Sequence, residues 1–170
     1  MNPQHPEQWP QFFTATINEW KPLLQPDKYK NIITDSLKFL VHDNRIILNG
    51  FVIMNNHMHL IWQACHGYTL QKAQQSLMKY TAQQIKFDLL KNNLSLLEQY
   101  KINAADRNYC FWKRRSLGIE LFTPKVYRQK LNYIHNNPVK AGLCKYPEQY
   151  HYSSAEFYYT GIDEFNMLTY

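Results

Sequence analysis

Apolar residues follow two different periods along this chain. Gln11 to Trp20 carries Phe12, Phe13, Thr14, Thr16 and Ile17, an aromatic and β-branched run that predicts a strand. Pro22 and Pro26 interrupt the chain after it. From Asp27 the period changes: Tyr29, Ile33, Leu37 and Leu40 recur at helical spacing and predict a helix ending near Asp43–Asn44. Arg45 to Met54 and His57 to Gln63 are predicted as two further strands. Two turns compete between them. Asn49-Gly50 is a strong hairpin signal, and Asn55-Asn56 tolerates positive φ; the second is favoured because it leaves strands of ordinary length on both sides. Thr69 caps a long helix to about Asn92, with Leu70, Ala73, Leu77, Ile85 and Leu89 on its buried side. Lys91 to Asn108 is polar and reads as a connection, and Tyr109 to Phe122 has strand potential at its ends. Thr123-Pro124 starts a last helix, expected to stop near Asn136 because the residue before Pro138 is biased away from helical geometry. Tyr146 to Tyr170 is rich in tyrosine and lacks clear periodicity.

The resulting order is strand, helix, strand, strand, helix, strand, helix. It predicts an α+β fold: a ferredoxin-like antiparallel sheet with helices on one face, plus an additional late helix. At 170 residues the chain is expected to form one domain, with a core over about residues 10–145 and a C-terminal extension over 146–170. Hydrophobic content of 45% and aromatic content of 15% exclude a disordered chain. The net charge of +6 favours an anionic partner, with nucleic acid foremost. Cys65, Cys110 and Cys144 form no C-x-x-C pair and no even framework, which fits a reducing cytoplasm. The start, Met1 to Pro6, lacks the basic and apolar stretches of a signal peptide, and no apolar run approaches a membrane span. A cytoplasmic, nucleoid-associated protein without a membrane partner is expected.

Candidate chemistry centres on His57-Met58-His59, inside the apolar run Phe51 to Trp62. On a strand the two histidines project from one side, and Met58, Leu60 and Trp62 from the other. Two imidazoles side by side can form half of a metal site. A single histidine in such a strand is usually a hydrogen-bonded structural residue, so spacing alone leaves both readings open. On the late helix, Tyr127, Leu131 and Ile134 form an apolar stripe. Tyr133 lies off it, on a face shared with Val126, Lys130 and Asn137. Asn137, one turn later, offers a carboxamide oxygen of the kind that suits Mg²⁺ or Mn²⁺, or serves as a helix-terminal asparagine before Pro138. His135 lies about 200° around the helix from Tyr133 and is expected to hydrogen-bond within the fold.

These segments resemble a known family. Phe-Val-Ile-Met-Asn-Asn followed by His57-Met58-His59 resembles the HUH motif of the single-tyrosine transposases, where U is a bulky hydrophobe. Asn132-Tyr133-Ile134-His135-Asn136-Asn137-Pro138-Val139-Lys140-Ala141-Gly142-Leu143 is similar to the tyrosine helix of their REP-associated branch, and so is Pro147 to Ala155. The likeness covers roughly Phe12 to Tyr159. It implies an enzyme, a DNA transposase that nicks and rejoins single-stranded DNA near hairpins. It further implies that His57, His59 and an amide at Asn137 hold Mg²⁺ or Mn²⁺, and that Tyr133 is the nucleophile, leaving a 5′-phosphotyrosine and a free 3′-hydroxyl. Insertion-sequence relatives carry glutamine where this chain has Asn137, and many relatives have proline in place of Asn55. Family members are monomers or homodimers. The alternative is a domesticated relative that binds hairpin DNA without cutting it.

The segment before the late helix and the helix's first turns suit DNA. Arg107, Lys113, Arg114, Arg115, Lys125, Arg128 and Lys130 interleave with Tyr109, Phe111, Trp112 and Tyr127. Cations track phosphates while exposed aromatic rings stack unpaired bases. A solvated basic face over core aromatics is the competing explanation. Trp112 and the seven cations are therefore candidate DNA contacts.

Overall fold

The computed structural model describes residues 8–170. Four strands, β1 (Gln11–Thr16), β2 (Ile46–Ile53), β3 (His57–Ala64) and β4 (Leu117–Glu120), form one sheet in the order β2-β3-β1-β4. Every pairing is antiparallel. With α1 (Asp27–His42) after β1 and α2 (Leu70–Asn92) after β3, this is the expected ferredoxin-like arrangement. The β2–β3 hairpin turns at Asn55-Asn56, where Met54 N–H donates to the His57 carbonyl. Asn49-Gly50 makes no turn. It falls at a register shift between Leu48 and Gly50, an extra residue absorbed inside β2.

Strand alternation sorts the core into two layers. Phe13, Ala15 and Ile17, with Met58, Leu60 and Trp62, face α1 and α2. There they meet Tyr29, Ile33, Leu37, Leu40, Ala73, Leu77, Ile85 and Leu89, the helical stripes read from the sequence. Trp62 is fully buried; burying a large apolar side chain contributes roughly 1.5–3 kcal/mol. On the other face α4 (Pro124–Lys140) lays Leu131 and Ile134 over Phe12, Val52, Met54 and Ile61. Its start is as expected: the Thr123 hydroxyl accepts from Val126 N–H, and Pro124 sits in the first turn.

Its end differs. The helix passes through Pro138 to Lys140 and does not stop at Asn136. Proline withholds one N–H but still accepts, and the turns beyond it close normally, with Ala141 N–H on the Asn137 carbonyl and Leu143 N–H on that of Pro138. Pro138 itself is buried. Burial and these later bonds outweigh a local preference. Three more departures arise from tertiary packing. β1 ends at Thr16, and Asn18–Trp20 forms a 3₁₀ turn. The polar stretch after α2 holds a short helix, α3 (Leu94–Glu98), capped by the Asn93 side chain. Within Tyr109–Phe122 only Leu117–Glu120 becomes a strand, while Tyr109 and Trp112 make isolated bridges.

The C-terminal segment includes α5 (Ala155–Thr160) and lies along the edge of β2. Ile53 N–H donates to the Tyr152 carbonyl, Ser154 N–H to that of Phe51, and Thr169 N–H to that of Leu48. These backbone bonds occupy an edge that would otherwise be free to pair with another chain.

Candidate active site between the sheet and the late helix

β3 places His57 and His59 on the face covered by α4, and their ring centroids are 4.9 Å apart. His59 is only 5% exposed and stacks on Phe12 at 5.2 Å. Each ring is held by its Nδ1. The Asn56 Oδ1 lies 2.7 Å from Nδ1 of His57, and the Thr14 hydroxyl 2.8 Å from Nδ1 of His59. An amide oxygen only accepts, so His57 Nδ1 carries the proton and its Nε2 carries a lone pair. His59 Nε2 is buried with no hydrogen-bond partner. Burial holds the His57 ring below the ordinary histidine range. His59 is pushed down to about 3, mainly by burial, with the charges of His57 and Lys130 adding to it. Both rings are thus neutral donors near neutral pH.

Helix α4 brings Tyr133 to the pair. Its ring is 5.4 Å from that of His59 and 6.1 Å, edge-on, from Phe12. The side that does not pack is open, and the residue is 44% exposed. The ammonium groups of Lys130 and Lys140 each lie 5.8 Å from the Tyr133 ring centroid. One turn on, Asn137 Nδ2 sits 3.4 Å from His57 Nε2. The continuation of the helix through Pro138 keeps Asn137 on the same face as Tyr133. The carboxamide nitrogen donates toward that lone pair, and its oxygen is carried on the same side chain. His135 faces elsewhere: its Nε2 is 2.8 Å from the Ser154 hydroxyl, which lies within 3.3 Å of the Phe51 carbonyl and 3.0 Å of the Phe51 N–H.

The donor set suits a divalent cation. The two imidazole rings lie 4.9 Å apart, both Nδ1 atoms are held by oxygen partners, and the buried His59 Nε2 has no hydrogen-bond partner. Among the described residues no group of three His, Cys, Asp or Glu side chains forms a metal cluster. Asn137 places a carboxamide beside the Nε2 of His57.

The expected DNA contacts divide. Lys130 belongs to the site, its ammonium 4.8 Å above the Phe12 ring. Lys125 and Arg128 are exposed on α4, and Lys113, Arg114 and Arg115 are exposed on the segment before β4. Arg114 faces Asp106 at 3.6 Å. Arg107 lines a cavity of about 900 Å³ between α2 and residues 105–112, whose lining includes neither histidine nor Tyr133. Trp112 is corrected: it is 6% exposed and its indole N–H donates to the Thr81 hydroxyl, so it cannot stack a base. It takes part in the α1/α2 core layer, as the competing explanation held for such aromatics.

Several site residues were not singled out by sequence. Thr14, Phe12 and Asn56 orient the histidines, Lys140 joins Lys130, and Trp20 stands edge-on to His57 at 6.2 Å. Thr14 and Phe12 share a face of β1 with period two, but only the β1–β3 pairing, Thr14 opposite His59, reveals their task.

No protein-family model matches the chain, and no curated protein matches it. Among solved structures, a candidate transposase from Deinococcus radiodurans R1 is 14% identical, with a TM-score of 0.46 over 80% of this chain and 95% of that one. A REP-associated tyrosine transposase bound to a REP hairpin is 17% identical, with a TM-score of 0.68 over 100% of this chain and 93% of that one. The chain has the fold of that transposase, an α+β domain with a four-stranded antiparallel sheet.

Proposed function

We propose that this protein is a DNA transposase that nicks and rejoins single-stranded DNA beside hairpins, with Tyr133 as nucleophile. The observation that carries this reading is the convergence of an exposed tyrosine on two neutral histidines, one with a buried Nε2 that nothing else engages. The shared fold and the hairpin bound by the solved relative support it. In the proposed step the Tyr133 oxygen attacks phosphorus and gives up its proton, the bond from phosphorus to the 3′ oxygen breaks, and that departing oxygen takes up a proton. The products are a 5′-phosphotyrosine and a free 3′-hydroxyl, and the reverse attack by a 3′-hydroxyl rejoins DNA. The phosphoester is conserved throughout, as strand transfer requires. Lys130 and Lys140 offset the negative charge that gathers around the tyrosine oxygen and the phosphate. His57, His59 and Asn137 are assigned to hold Mg²⁺ or Mn²⁺. Such an ion, when bound, neutralises charge on the non-bridging phosphate oxygens. The surface cations Lys113, Arg114, Arg115, Lys125 and Arg128 are assigned to the DNA backbone, with a salt-dependent contribution.

The test is incubation with Mn²⁺ and an end-labelled hairpin carrying single-stranded flanks. A protein–DNA adduct that survives denaturation is expected, and Tyr133→Phe is expected to abolish it while binding persists. An adduct in Tyr133→Phe would remove the nucleophile assignment. Binding with no adduct under any of several divalent ions would favour a hairpin-binding protein instead.

A further inference from the structure

Next to the histidines the backbone is strained. Glu19 and Trp20 are consecutive non-glycine residues at φ 57° each, in the left-handed region that penalises any Cβ. Such strain persists only where surrounding contacts enforce it, and here they do. Ile17 N–H donates to the Asn56 carbonyl and Asn18 N–H to the Phe111 carbonyl, fixing the entry. Lys21 leaves the turn with its ammonium on Glu19 at 2.9 Å and on the Gln99 carbonyl at 2.6 Å. Asn56 closes the arrangement: its Nδ2 donates to the Trp20 carbonyl at 3.3 Å while its Oδ1 holds His57 Nδ1 at 2.7 Å. One side chain thus ties the strained turn to the first histidine.

The product of this strain is an indole that remains 58% exposed, with its ring 6.2 Å from that of His57. Burial does not account for it. An exposed, rigidly held tryptophan is a poor use of apolar area unless another flat ring covers it. We infer that Trp20 is a stacking platform for an unpaired nucleobase of single-stranded DNA, and that it holds the nucleotide next to the phosphate presented to Tyr133. Stacking reads no base edge, so the platform is expected to accept any base and to act on register. Trp20 is a positioning residue in this assignment; it touches the substrate beside the reacting atoms and takes no part in bond exchange. The placement of that nucleotide beside Tyr133 rests on the transposase reading, whereas the stacking itself does not.

The experiment uses the full chain with a Tyr133→Phe background, so that binding is measured without cleavage. Oligo-dT is expected to quench tryptophan emission, and the quench is expected to vanish in Trp20→Phe. Trp20→Ala is expected to weaken oligo-dT about ten-fold, with Trp20→Phe retaining most of the affinity. On a hairpin with a single-stranded flank, one abasic position is expected to weaken the Trp20 protein as much as Trp20→Ala does, and to cost Trp20→Ala nothing further. Trp20→Gly, free of the Cβ penalty, is expected to keep or raise the melting temperature while losing affinity, which a merely structural residue would not do. Unchanged affinity in Trp20→Ala, or abasic and Trp20→Ala penalties that simply add, would overturn the platform. Quenching and non-additivity without any adduct in the Tyr133 protein would uphold the platform and remove the cleavage reading. An adduct whose yield and binding ignore Trp20 would do the reverse.

Discussion

At the scale of single residues, the Nδ1 partners of the histidines decide what their Nε2 atoms can do. Neither Asn56 nor Thr14 is among the proposed metal ligands, yet the Asn56 oxygen fixes the tautomer of His57 and the Thr14 hydroxyl holds the ring of His59 in place. Thr14→Val keeps the shape of the side chain and removes the hydroxyl. It is expected to weaken Mn²⁺ binding by about 10–100-fold with little change in melting temperature. Calorimetric titration of Mn²⁺ into the variant measures this directly; unchanged affinity would mean that the hydroxyl does not orient His59. Tyr133 was legible as an anomaly, a tyrosine off the apolar stripe of its helix. Trp112 was misleading because composition reveals that an indole is present and not whether its N–H points at water or at Thr81.

At the scale of elements, the site is a contact between β3 and α4, and its spacing is set by how closely the helix lies on the sheet. Gly50 controls that approach: a Cβ there would stand 2.9 Å from Leu131 Cδ1 and 3.2 Å from Ile134 Cδ1. Gly50→Val is expected to cost about 1–3 kcal/mol of stability through overpacking. It is also expected to lower adduct yield by lifting Tyr133 from the histidines; urea denaturation and an adduct time course check both. The His135–Ser154 bond anchors the same helix to the C-terminal segment. Ser154→Ala leaves His135 Nε2 buried without a partner, and a loss of about 1–3 kcal/mol in urea melts is expected.

At the scale of the whole molecule, Tyr133 and both histidines meet within one chain. Mixing His57→Ala with Tyr133→Phe is therefore expected to restore no adduct, whereas proteins that exchange tyrosine helices would complement. The core also carries a pH signature. Burial raises the pKa of Tyr29, Tyr100, Tyr150, Tyr152 and Tyr158, and takes Tyr100 and Tyr150 up to about 12. Because the folded state retains these protons more tightly than the unfolded chain, their contribution is complete below about pH 10. It is lost as pH rises toward the folded values. Melting temperature is expected to fall steeply above about pH 10, with phenolate absorbance of these groups arriving together with unfolding.

The sequence by itself determined the element order, the hairpin at Asn55-Asn56, the buried stripes of α1 and α2, and the shared face of His57 and His59. These come from periods of two and of 3.6 residues and, for the hairpin, from turn chemistry and strand length, all of which are local geometry. The tertiary structure decided what local geometry does not contain. It carried α4 through Pro138, because burial and later hydrogen bonds outweighed the preference of one residue. It turned Trp112 inward and Trp20 outward, although each is followed by a lysine. It brought Thr14 and Asn56 to the histidine pair and Lys140 to Tyr133, from positions far apart or unremarkable in the chain. The pairing of β1 with β3 and the seat of α4 on Gly50 set those distances, and each is a contact between segments that no spacing within either one reveals.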